Sequence, residues 1–334
     1  MKPASRAPAL LAAILMTAGT PASPAHGQSA AQFRAVVTGV AVPVIVRAGR
    51  EPVTDLAPDE FVLTDSGVRQ QVSAVRGATV PIDLSLIVER SEASEFLRSG
   101  YQAEMGAVTE ALAPADRVRV VHVAEDVWEV TPLSSPETAD RVRDSPRSAG
   151  VALYDALAAF LIRPVEPGRQ HVVVALSRGV DTLSIVSADR LLDLAQRSEG
   201  FLHVLVTEST TMGTRTVARL PVGMHALWDW SEGHRQELRA IASRRGDAYW
   251  DGVWNASRRK LVAVAEATGG GEIAARAFSG SIGGPVRRVL EEVRSSYILY
   301  YQPAGVPEGG WHPIEVSVAR PGRFDVRARP GYTR

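Results

Sequence analysis

Four short apolar runs constrain this chain most. Ile82–Val88, Val118–Val123, His171–Leu176 and Phe201–Val206 are nearly continuous in β-branched and aliphatic residues. Strands that are apolar on both faces belong in a sheet covered on both sides. The spacers between them repeat apolar residues every three or four positions. The periodicity predicts helices over 95–112 (Phe96, Tyr101, Met105, Val108, Leu112), 152–161, 188–196, 259–268 and 286–296. Strand alternating with helix is the signature of a parallel α/β sheet.

The flanks read differently. Residues 33–47, FRAVVTGVAVPVIVR, have the two-residue period of a strand, and Pro43 predicts an edge position or a bulge. Phe61–Thr64 and Gln70–Val75 predict two strands around the turn Asp65-Ser66-Gly67. Tyr297–Tyr301, Ile314–Ala319 and Phe324–Ala328 return to strand. Residues 1–27 carry Lys2 and Arg6, an apolar run Ala9–Ala18, and small residues ending in Ala25 and Gly27. That pattern predicts a secretory signal peptide and an exported, periplasmic or secreted chain.

Composition narrows the chemistry. Of 334 residues none is cysteine, which excludes disulfides, Cys-ligated zinc, iron–sulfur clusters and thiol catalysis. Lys+Arg and Asp+Glu are both 37. A balanced charge argues against nucleic acid as partner. No later run is long enough to span a bilayer, so no membrane span is expected in the mature chain. Neither a G-x-S-x-G elbow nor an H-E-x-x-H pair occurs, and Gly269-Gly270-Gly271 lacks the GK[ST] of a phosphate loop. The glycines read instead as a helix stop. His225, Asp229, Glu232 and His234 have no ligand spacing and read as solvated side chains.

Several blocks occur in a collinear order: GREPVTDLAPDEFVLTDSG (49–67), GVALYDALAAF (150–160), VVVALSRGVDT (172–182), AEATGGGEI (265–273), RSSYILYYQP (294–303) and the closing 314–334. In this the chain resembles the VWFA-related acidobacterial domain family, a group of von Willebrand factor A (vWA)-like proteins. The resemblance implies an α/β fold: a central, mostly parallel Rossmann-like sheet with helices on both faces. A small β unit, made of the N-terminal strands and a C-terminal hairpin, completes it. The implied organisation is 1–27 signal peptide, 28–79 N-terminal β segment, 80–300 vWA-like domain, and 301–334 hairpin packing on the N-terminal segment.

A vWA domain usually holds a divalent cation on a D-x-S-x-S loop, a Thr and an Asp, the metal-ion-dependent adhesion site (MIDAS). Here the equivalent positions are Glu89, Ser91, Ala93, Val151 and Arg178. Glu replaces the leading Asp, Ala93 the second Ser, Val151 the Thr and Arg178 the last Asp. Arginine has no lone pair for a cation. The resemblance therefore implies a degenerate site without cofactor, and a non-enzymatic module that binds a protein partner. The alternative is a cation-dependent adhesion module using Glu89, Ser91 and Ser94 with Mg²⁺, Mn²⁺ or Ca²⁺. An envelope-polymer hydrolase is the remaining reading, which a His within reach of a Ser or carboxylate in a pocket would support. Charge reversal at position 178 predicts that its guanidinium reaches Glu89 or Glu92. Asp181 and Thr182 are expected to hold their own loop, and Asp155 to favour a helix start. Residues 207–258 form a Trp-rich insertion, and Trp228, Trp230, Trp250 and Trp254 are either a recognition surface or a local core.

Overall fold

The computed structural model describes residues 39–90, 101–139, 145–146, 148, 150–206, 247–274 and 282–334. Its centre is a six-stranded sheet of β6 (Ile82–Glu89), β7 (Arg117–Val123), β8 (Val127–Ser134), β9 (Gln170–Ser177), β10 (Phe201–Val206) and β11 (Gly271–Ala274). The order is β8-β7-β6-β9-β10-β11, all parallel except β8. Every residue of β6, β9 and β10 is buried, as their apolar runs require. Helices α2 (Leu153–Leu161), α3 (Ala188–Arg197) and α4 (Asp247–Ala267) pack on one face with Ile87, Val121, Val173 and Val204. Helices α1 (Tyr101–Glu110) and α5 (Gly283–Ser295) cover Leu84, Leu86, Val120 and Val174 on the other. This order makes the six-stranded unit a doubly wound, Rossmann-like α/β domain.

Two elements differ from the sequence expectation. Strand β8 carries Pro132 and pairs with β7 through register shifts, so it shows no clean alternation. Helix α4 starts at Asp247 rather than 259, running through Gly252, whose lack of a Cβ masks the helical pattern. Trp250 and Trp254 therefore lie within the span of α4. After α4, Gly269 takes a left-handed φ of +86° and Gly270 presses on β10; a Cβ there would lie 1.8 Å from the Leu202 carbonyl oxygen.

Nine more strands build the small β unit. One sheet has the order β14-β1-β12-β5, from Asp325–Ala328, Val40–Ala48, Tyr297–Tyr301 and Ser73–Arg76, with β2 (Glu51–Pro52) also on β1. The other is β15-β13-β3-β4, from Gly331–Thr333, Trp311–Val318, Phe61–Asp65 and Val68–Gln70. Val42, Val44, Leu63, Leu299 and Ile314 fill the space between them. Ser66 and Gly67, at φ 50° and 80°, make the two-residue turn between β3 and β4.

Four expectations are corrected here. Strand β1 is interior, not an edge: it pairs with β12 over Val40–Val44 and with β14 over Val44–Arg47. Pro43 is tolerated because the β14 ladder stops opposite Val44. The run 70–75 is not one strand, since β4 pairs with β3 and β5 with β12. The closing segment is not a hairpin: β13 pairs with β3 and β15, while β14 crosses to β1 through the turn at Gly322. Tyr297–Tyr300 likewise belongs to the small sheet rather than to the six-stranded one.

A buried polar centre ties the two small sheets. Asp65 is fully buried and accepts from Tyr301 Oη (2.8 Å), Tyr332 Oη (3.0 Å) and Ser66 Oγ (3.0 Å), with His312 Nδ1 at 3.0 Å. Burial pushes its carboxyl up, but these hydrogen bonds outweigh it and hold Asp65 below its ordinary value.

Candidate functional site

Strands β6 and β9 are neighbours, yet their connections leave to opposite sides of the sheet: β6 to β7, β9 to β10. The crevice beyond their carboxyl ends is the topological switch point, where ligand sites of open α/β sheets lie. Glu89 closes β6 and Ser177 closes β9 at that point. Glu89 Oε2 accepts from Ser177 Oγ (2.7 Å) and from the Arg178 backbone amide (2.8 Å). Glu89 Oε1 accepts from Arg178 Nε at 2.7 Å. The Glu89 side chain is 0% exposed and that of Arg178 4%. The Ser177 hydroxyl also accepts from the Gly179 amide at 3.0 Å. A carboxylate held by one guanidinium, one hydroxyl and one amide has the charge-assisted partners that burial demands.

Two further loops meet at the same edge. Val151 is wholly buried in the apolar core; its amide donates to Thr182 Oγ1 (2.7 Å) and its carbonyl accepts from the Thr182 and Leu183 amides (2.9 and 3.1 Å). The Ala152 amide donates to the carbonyl of Ala124, just past β7, at 2.7 Å. Asp181 Oδ1 accepts from the Tyr154 amide (3.1 Å) and from Ser184 Oγ (2.5 Å). In return, Asp155 accepts from the Ile185 and Val186 amides at 3.0 and 2.8 Å. The loop after β9 and the start of α2 thus exchange carboxylates. Asp181, Thr182 and Asp155 bind across two loops, where the sequence suggested local roles. Burial pushes the Asp181 carboxyl up, against the Ser184 and amide hydrogen bonds.

Of the sequence-nominated residues, Glu89 and Arg178 come together and Val151 joins the core beside the same loop. Ser91, Glu92, Ala93, Ser94, Trp228 and Trp230 lie outside the described residues. Ser177 was not foreseen, because one hydroxyl at a strand end leaves no periodic trace. The structure also pairs Ser85 Oγ with His171 Nε2 at 2.9 Å. Both side chains are buried mid-sheet, and burial, aided by the Arg119 charge, lowers His171 to about 4. Such a pair packs the sheet and offers a substrate no approach. Among the described residues, no three His, Cys, Asp or Glu side chains cluster to hold a metal, and no helix is long and apolar enough to cross a membrane.

No family model and no curated protein matches the chain. Among solved structures, the chain is similar to the von Willebrand factor type A protein from Catenulispora acidiphila, at 10% identity over 90% of this chain and 74% of that one, with a TM-score of 0.40. It is also similar to manganese-loaded TRAP protein from Plasmodium vivax, at 12% identity over 80% and 97%, TM-score 0.36. A third similar structure is an aerotolerance-related membrane protein from Bacteroides fragilis NCTC 9343, at 10% identity over 64% and 98%, TM-score 0.38.

Proposed function

We propose that this chain is an exported, non-enzymatic protein-interaction module of vWA type, whose Arg178 guanidinium stands where metal-dependent relatives hold a divalent cation. One observation carries the reading: the Glu89 carboxylate, fully buried at the switch point, is engaged by Arg178 through both its amide and Nε. The residues do not fit a cation. A divalent ion at Glu89 would sit against a fixed positive charge that supplies no ligand atom, and Val151 offers no side-chain oxygen. The buried setting of Ser85 and His171 supports the non-enzymatic part. The leader-like residues 1–27 support export, and mass spectrometry of exported protein is expected to find a start near Gln28.

Calorimetric titration with Mg²⁺, Mn²⁺ and Ca²⁺ tests the reading. The native chain is expected to give no saturable heat. Arg178→Asp combined with Val151→Thr and Ala93→Ser is expected to gain cation affinity, while Arg178→Ala alone gains little. Saturable binding by the native chain, lost in Ser91→Ala or Ser94→Ala, would establish the cation-dependent alternative instead.

A further inference from the structure

The chain crosses between the six-stranded unit and the small β unit twice, after β5 and after α5, and the two crossings lie side by side. Tyr297 pairs with Arg76, and the Gly77 amide donates to the Ser296 carbonyl at 2.8 Å. A Cβ on Gly77 would lie 2.2 Å from the Val293 carbonyl oxygen, so the backbones meet there. Two adjacent crossings at element ends have the form of a hinge. Away from it, the two units are held by polar contacts of different chemistry.

The first is Arg329, just past β14. Its buried guanidinium donates to the carbonyls of Ser198 (3.0 Å), Gln196 (2.6 Å) and Gly331 (2.9 Å), and so caps the carboxyl end of α3. Carbonyl acceptors do not titrate, so this contact is indifferent to acid. The second is Glu292 of α5, whose side chain is 11% exposed. It accepts from Arg47 of β1 at 2.5 Å and from Arg327 of β14. His203 of β10 is buried, with Nδ1 3.9 Å from the same carboxylate and no hydrogen-bond partner among the described residues. The Arg327 guanidinium lies over Gly271 of β11, where a Cβ would come within 3.1 Å of it. Of the other charges nearby, Asp325 stands opposite Arg47 in the β1–β14 ladder, and Arg288 and Glu291 on α5 are exposed.

Two guanidiniums and an imidazole thus converge on one carboxylate where both units meet. Near neutral pH that carboxylate is the counter-charge of both arginines. One added proton, on Glu292 or on His203, leaves surplus positive charge beside buried groups, which is costly. Burial holds His203 down at about 4, with Glu292 opposing and Arg327 adding, so the surplus arises in acid.

We propose that Glu292 is an acid-released latch: a proton on the carboxylate or on His203 frees β1 and β14 from α5, and the small β unit swings about the Gly77–Ser296 hinge while Arg329 tethers it to α3. The device is independent of the interaction-module reading.

The test uses the full chain, whose lack of cysteine allows two spin labels, at Arg50→Cys in the turn after β1 and at Arg287→Cys on α5; both positions are exposed. Label-to-label distances are measured beside hydrogen exchange. One narrow distance is expected near neutral pH, and a longer population at about pH 4 while the amides of β6 and β9 stay protected. Glu292→Gln is expected to show the longer population already near neutral pH. The triple variant Arg47→Leu, Arg327→Leu, Glu292→Leu is expected to stay short at about pH 4, since an apolar replacement of the cluster has nothing to titrate. A native distance unchanged in acid, a longer population that appears only as β6 and β9 lose protection, a closed Glu292→Gln, or a triple variant that opens as the native chain does would each overturn the latch.

Discussion

At the scale of single residues, two buried carboxylates organise the molecule, and each fails differently when its partners are removed. Among its described partners, Glu89 has Arg178, through guanidinium and amide, and the Ser177 hydroxyl. Arg178→Ala is expected to leave that charge buried and to cost about 3–5 kcal/mol in urea unfolding. Arg178→Lys is expected to recover only part, because an ammonium cannot reproduce the planar Nε contact. Asp65 is served by four residues from the two small sheets. Tyr301→Phe is expected to cost about 1.5–3 kcal/mol, and Asp65→Ala more, since it removes the shared acceptor and leaves its buried donors unsatisfied. The first site was legible in the sequence, because an arginine at a ligand position reverses a charge and demands an answer from Glu89. The second was not. Its donors are scattered from Ser66 to Tyr332, and no spacing rule links them.

At the scale of elements, the sequence was most readable where burial was uniform. The four core strands and the interior of α2 and α3 follow from apolar runs and from the Leu191–Ala195 spacing. It was least readable where the neighbour decides the outcome. Pro43 argued for an edge, but β14 simply ends before reaching it. Gly252 hid the first half of α4, and β13 and β14 read as a hairpin because a turn sequence does not say which sheet the next strand joins. The glycine run does carry element-scale consequences. Gly270→Ala would drive a methyl group into the Leu202 carbonyl and is expected to destabilise by at least about 3 kcal/mol. Gly269→Ala, in the left-handed region but with more space, is expected to cost about 1–2 kcal/mol. Paired urea melts of the two variants check the ranking.

At the scale of the whole molecule, acid is the condition to which the fold is most exposed. Burial lowers His171 and His203 to about 4, with Arg119 adding to the first, and Glu292 opposing while Arg327 adds at the second. Unfolded, both titrate near 6.5. Between pH 6.5 and 4 the unfolded chain binds more protons, so the stability these neutral histidines provide is complete above pH 6.5 and lost as pH falls to 4. The loss is about 3 kcal/mol per histidine, order of magnitude. Asp181 acts in the opposite sense, since its raised carboxyl is relieved by protonation. Urea midpoints are expected to fall between pH 7 and 4.5, and His203→Gln is expected to flatten that slope.

The pairing of β1 with β12 has a consequence for synthesis. A chain made from its N-terminus presents β1 with only the two-residue β2 at its end, long before β12 and β14 exist. Val42, Val44 and Val46 gain their β12 and β14 ladder neighbours only when Tyr297–Tyr301 and Asp325–Ala328 have followed the entire parallel sheet out of the ribosome. The six-stranded unit can close on itself during that wait, whereas β1 remains a sticky apolar segment in need of shelter. Pulse-labelled hydrogen exchange during refolding is expected to protect the amides of β6, β7, β9 and β10 before those of β1. A chain stopped at residue 296 should hold its first strand open to any holdase that meets it, so assembly of the amino terminus is governed by the arrival of the carboxyl terminus.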